Sequence, residues 1–96
     1  MAKLLGDFDK TEDAFNGEIQ ALDTGKLRVA IVPEEPQGEN WPTWRGYVGS
    51  IPVAVGWDRT SRRGNRYIRL HFEDPRFGSF WANLCDVKGQ HRLFHA

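Results

Sequence analysis

Gly25-Lys26-Leu27-Arg28-Val29-Ala30-Ile31-Val32 sets Leu27, Val29 and Ile31 on one side of an extended chain and Lys26, Arg28 and Ala30 on the other. Side chains alternate across a strand with a period of two, so this stretch reads as a strand with one face on a core and one on solvent. The pattern recurs C-terminal to it, while the N-terminal third is less plain. Thr43 to Gly49 places Trp44 and Val48 with Gly46 on one face and Arg45 and Tyr47 on the other. Ile51 to Asp58 sets Ile51, Val53, Val55 and Trp57 against Pro52, Ala54, Gly56 and Asp58, with Pro52 confined to the strand's start or an edge because it lacks an N–H. Gly49-Ser50 between these two suits a tight hairpin.

Further along, Arg66 to Glu73 points Ile68, Leu70 and Phe72 inward and Tyr67, Arg69, His71 and Glu73 outward. Ser79 to Asp86 opposes Phe80, Ala82 and Leu84 to Trp81, Asn83 and Cys85, and His91 to His95 adds a last short strand. Leu4 to Phe8 and Phe15 to Leu22 form a hairpin around Lys10-Thr11-Glu12-Asp13, with a short helical turn as its competitor. Pro33 to Pro42 and Arg59 to Asn65 are the long loops. The expected fold is therefore all-β and mainly antiparallel, a small barrel or sandwich of about seven short strands.

A chain of 96 residues holds one core, so 1–96 is a single domain. Its 40% hydrophobic and 12% aromatic content, with four Trp, supplies the burial a disordered chain lacks. The single cysteine, Cys85, excludes an internal disulfide framework, and charge interrupts the N-terminus before a secretory stretch builds. No run approaches the ~20 apolar residues of a membrane span. These features place the expectation in the cytoplasm, away from membranes. The zero net charge conceals a division: Met1 to Trp44 carries 4 basic and 9 acidic side chains, Arg45 to Ala96 carries 9 basic and 4 acidic. Interleaved strands either neutralise that asymmetry or sort it into surfaces.

Trp57-Asp58-Arg59-Thr60-Ser61-Arg62-Arg63-Gly64-Asn65-Arg66-Tyr67-Ile68-Arg69-Leu70, then Glu73-Asp74-Pro75, Phe77 and Ala82-Asn83-Leu84, resembles a proteobacterial family known as domain of unknown function 736. Leu5-Gly6-Asp7-Phe8 and Phe15-Asn16-Gly17 look like its first hairpin, so the resemblance covers most of the chain. It implies a small protein often carried on plasmids and integrating elements, with no catalytic residues to transfer.

Two surfaces are candidates for function. Arg59, Arg62, Arg63, Arg66, Tyr67, Arg69 and His71, joined by Tyr47, Arg45 and Trp81, combine cations for phosphates with rings for bases, the requirement of a single-strand binder on a sheet. The competing account is a solvated turn whose Thr60, Ser61 and Gly64 serve its geometry. The second surface is the acidic loop with Glu34, Glu35, Glu39, Trp41 and Trp44, suited to a protein partner. Through that loop or a sheet edge the domain would act as an inhibitor or adaptor, for example one blocking a host nucleic-acid-binding defence complex. His71, His91, His95 and Cys85 lack the paired spacing of metal ligands. No nucleophile has an activating partner and no Gly-rich phosphate loop occurs. The expectation is a non-enzymatic accessory protein of a mobile element, without metal or cofactor, that binds nucleic acid or a host protein.

Overall fold

The computed structural model describes residues 3–20 and 25–96. Eight strands follow one another: β1 (Leu4–Thr11), β2 (Ala14–Gln20), β3 (Lys26–Pro33), β4 (Trp44–Val48), β5 (Ile51–Thr60), β6 (Arg66–Asp74), β7 (Gly78–Val87) and β8 (Gln90–His95). Each pairs antiparallel with the next, and β8 pairs back onto β1 to close a barrel. The short C-terminal strand is thus a full member, one more than the seven or so expected. Closure spends the backbone groups of the two terminal strands on each other, so no full-length strand edge stays open among the described residues. A partner that docks by extending a sheet edge has no such edge to use.

The turns follow from residue type. Gly49, at φ 64°, takes the left-handed conformation that a two-residue hairpin between β4 and β5 needs. The β1–β2 turn is tighter than the four residues expected and consists of Glu12 and Asp13, with Lys10 and Thr11 still paired to Phe15 and Ala14. Residues 21–22 of the Phe15 to Leu22 expectation lie outside the described residues. Between β6 and β7, Asp74 accepts hydrogen bonds from the Arg76 backbone N–H (2.8 Å) and guanidinium (2.9 and 3.1 Å). Those bonds hold its carboxyl below the ordinary carboxylate range. The turn tucks Phe77 beneath the barrel against Phe72.

Inward-facing residues of all eight strands fill the barrel. Val29, Ile31, Leu70, Phe72 and Leu93 are fully buried, and Phe72 stacks on Phe80 with centroids 5.1 Å apart. Small residues make room for large ones. A Cβ on Gly56 would lie 2.6 Å from Leu70 Cδ2 and 3.1 Å from both Ile68 Cγ2 and Trp44 Cβ.

One strand departs from simple alternation. Gly46 pairs with Ala54 while Tyr47 pairs with Pro52, so Val53 is an extra residue in β5. This bulge turns both Val53 and Ala54 into the core. From there on the inward series is Ala54, Gly56 and Asp58, and Val55 and Trp57 face out. The expected grouping of Val53 with Val55 and Trp57 is corrected accordingly: a bulge flips every side chain beyond it, and here it delivers a tryptophan to the outer surface.

Candidate nucleic-acid interface

The outer face of β5, β6 and β7 is assembled by register. Val55 lies opposite His71 and His71 opposite Trp81; one step along, Trp57 faces Arg69 and Arg69 faces Asn83; next, Arg59 faces Tyr67 and Tyr67 faces Cys85. Trp81 is the centre of the cluster and is 40% exposed. The Arg69 guanidinium carbon sits 4.7 Å above its ring, His71 lies 4.6 Å from it between centroids, and Trp57 6.0 Å. Cation–π attraction and tilted ring contacts, at 45° to His71 and 32° to Trp57, hold these side chains in one cluster around Trp81. The Asn83 side-chain oxygen within this face is buried and accepts no hydrogen bond from the described residues.

Not every expected residue joins the face. Arg59, Tyr67, Arg69 and His71 do, and Arg62 and Arg63 extend it as exposed residues of the adjoining turn. That turn is closed by Ser61 N to Asn65 O (2.8 Å), Gly64 N to Ser61 O (3.0 Å) and Asn65 N to Ser61 Oγ (3.1 Å). Its hydroxyl and glycine serve geometry while its arginines stay in water. Arg66 pairs with Thr60, on the inward series of β6 with Ile68 and Leu70, and lines the barrel mouth instead. Trp57 was not expected here; its signal is its position two residues before the outward Arg59, masked by the bulge.

The acidic loop borders this face. Asn40 O accepts from Trp57 Nε1 (3.0 Å), and Glu34 receives Arg45 Nε on both oxygens (2.9 and 3.0 Å), which pushes the Arg45 pKa further up. Trp41 is 44% exposed, and Glu35 and Glu39 face solvent. Trp44 leaves the group: it points into the barrel, 5.5 Å from Phe15, and donates to Asp58 Oδ1 (3.0 Å).

Strand alternation also sorts the charges. Asp58 and Asp86 belong to inward series at the mouth, so they do not neutralise Arg59 and Arg69 outside. Asp7, Asp9 and Glu18 lie on the outer face of β1 and β2, where Asp7 meets Arg92 at 3.3 Å. Of the carboxylates on β5 to β7, Glu73 alone has an outward position, at the end of β6 remote from the arginine-bearing turn. Cys85 is half-buried on the outer face, and burial pushes its thiol up. No group of three or more His, Cys, Asp or Glu side chains converges to hold a metal among the described residues, and no helix is long and apolar enough to cross a membrane.

These features define a closed, eight-stranded meander barrel with a cationic, aromatic outer face. Over residues 4–95 the sequence matches the family described as Protein of unknown function (DUF736), and the chain belongs to that family. No curated protein matches it, and no solved structure does.

Proposed function

We propose that the outer face of β5 to β7 binds single-stranded nucleic acid, and that the domain works as a non-enzymatic accessory protein of a mobile element in the cytoplasm. The observation that carries this reading is the exposed Trp81 ring backed by Arg69, His71 and Trp57. A base laid on this cluster meets planar π surfaces and a guanidinium at once, an arrangement worth ~1–3 kcal/mol per stacked base in single-strand binders. Arg59, Arg62 and Arg63 continue the positive surface along the line a phosphate backbone would follow. Bases within a duplex keep their faces stacked, so the ring surfaces favour single strands over double strands.

Anisotropy of labelled single and double strands at low salt tests the reading. Single strands are expected to bind more tightly than duplex and to quench tryptophan emission. Absence of binding at low salt sinks it. A second reading rests on the loop: it is pinned by the Trp57–Asn40 and Arg45–Glu34 bonds yet leaves Trp41 44% exposed beside Glu35 and Glu39. A held tryptophan among carboxylates suits a basic groove on a host protein. Capture of a host protein that is lost with Trp41→Ala and kept with Trp81→Ala would favour this reading.

A further inference from the structure

One end of the barrel does not close with apolar side chains. The inward series that builds the core continues outward as Lys10 on β1, Asp58 on β5, Arg66 on β6, Asp86 on β7 and His91 on β8, around an opening of about 250 Å³. Its inner wall is aromatic: Phe15 lies 5.5 Å from Trp44 and 4.9 Å from His91 between centroids, tilted to both.

The charges in this mouth are unequally engaged. Asp58 is committed on both oxygens, to Trp44 Nε1 (3.0 Å) and Thr43 Oγ1 (3.1 Å), and so fixes the indole in place. Asp86 Oδ1 accepts the Gly89 N–H at 2.8 Å. Lys10 lies 5.9 Å above the Phe15 ring, and neither its ammonium nor the Arg66 and His91 side chains has a hydrogen-bond or ion-pair partner among the described residues. Asp58 is thus engaged on both oxygens and Asp86 on one in shaping the wall, while Lys10 and Arg66 carry no carboxylate partner among the described residues.

We infer that this mouth is a second binding site, meeting the outer face at Tyr67 alone, for a small planar ring that carries an anionic group. Trp44 and Phe15 pack the ring, and Lys10 and Arg66 hold the anion. Barrel mouths are recurrent ligand sites, and this opening is just below the roughly 300–1,000 Å³ of pockets for drug-sized molecules, so a single ring system is the appropriate scale. Both cations line the opening, and a charge-assisted bond from either gives the anion its selectivity over a neutral ring. Nucleoside monophosphates and aromatic carboxylates share this chemistry.

NMR titration of the isotope-labelled full chain distinguishes the sources and tests the site. The probes are a nucleoside 5′-monophosphate, benzoate, the neutral nucleoside and inorganic phosphate. Binding by either ring anion is expected to move the Trp44 indole, Phe15 and His91 resonances, and whichever binds names the source. Lys10→Gln with Arg66→Gln should weaken it about tenfold or more with the spectrum of the core unchanged. The site is refuted by any of three results: no shift with either ring anion up to millimolar concentration, equal binding of neutral nucleoside or bare phosphate, or shifts confined to Trp57, Arg69 and Trp81. Because the readout is residue-specific, loss of the mouth site and loss of the outer-face reading are separate outcomes.

Discussion

Replacing Arg59 and Arg69 together by Gln should flatten the salt dependence of single-strand binding by a calculable amount. The outer face and its adjoining turn carry four arginines without a carboxylate partner among the described residues: Arg59, Arg62, Arg63 and Arg69. If each neutralises one phosphate, counterion release gives a slope of log affinity against log salt of about −2.8 for a single strand. Affinity then falls roughly 50-fold between about 50 and 200 mM salt. The double variant retains two such cations, its slope drops to about −1.4, and the same salt change costs only about 7-fold. Both side chains are at the surface or half-buried, so the variant should keep its fold. Anisotropy titrations at several salt concentrations measure both slopes. An unchanged slope in the variant would refute the assignment of phosphates to this face, even if binding itself is strong.

Trp81→Ala should weaken single-strand binding by ~1–3 kcal/mol and lower stability by about 1 kcal/mol, the outer-face contacts to Arg69, His71 and Trp57 being lost while the core stays filled; equal binding by the variant would remove Trp81 from the site. Gly56→Ala should cost about 1–3 kcal/mol in urea unfolding, since the new methyl meets fully buried Leu70 in a filled barrel; an unaltered midpoint would show that the core has slack there. Cys85 should alkylate more slowly than a free thiol near pH 8, because burial raises its pKa and the reactive thiolate is correspondingly scarce, and its rate should climb only at higher pH. A rate equal to free cysteine at pH 8 would contradict the burial of that side chain.

Strands with uninterrupted alternation were legible because burial on one face writes its period directly into residue type. Arg66 to Glu73 is the plainest case: Ile68, Leu70 and Phe72 face in and Tyr67, Arg69 and His71 face out, as their polarity demands. β5 was not legible in the same way. Val53, Val55 and Trp57 look like one apolar face, but the bulge at Val53 depends on how β4 pairs with β5, a non-local fact that local residue type does not carry. Arg66 shows the opposite limit. It sits in a run of arginines, but strand parity, counted back from Ile68, already sends it inward, so neighbours in sequence became members of two different surfaces. Trp44 left the acidic loop for the barrel mouth by the same rule.

That parity rule also makes a neutral chain compatible with the anionic ligand proposed for it. A nucleic-acid surface needs a local excess of cations, and total charge is a poor guide to it when strands place successive side chains on opposite sides of a closed wall. Asp58 and Arg59 are adjacent in sequence, but one fixes Trp44 inside the mouth and the other lies outside beside Tyr67. Asp7, Asp9 and Glu18 are carried by β1 and β2, which reach β5 to β7 only through the intervening strands. The carboxylates of β1 and β2 instead share their part of the wall with cations, Glu18 opposite Arg28 and Asp7 against Arg92 at 3.3 Å, so most of that charge is balanced locally. For the proposed binding face this local sorting matters more than the total: the arginines of β5 to β7 keep their charge because the carboxylates nearest in sequence lie across the wall.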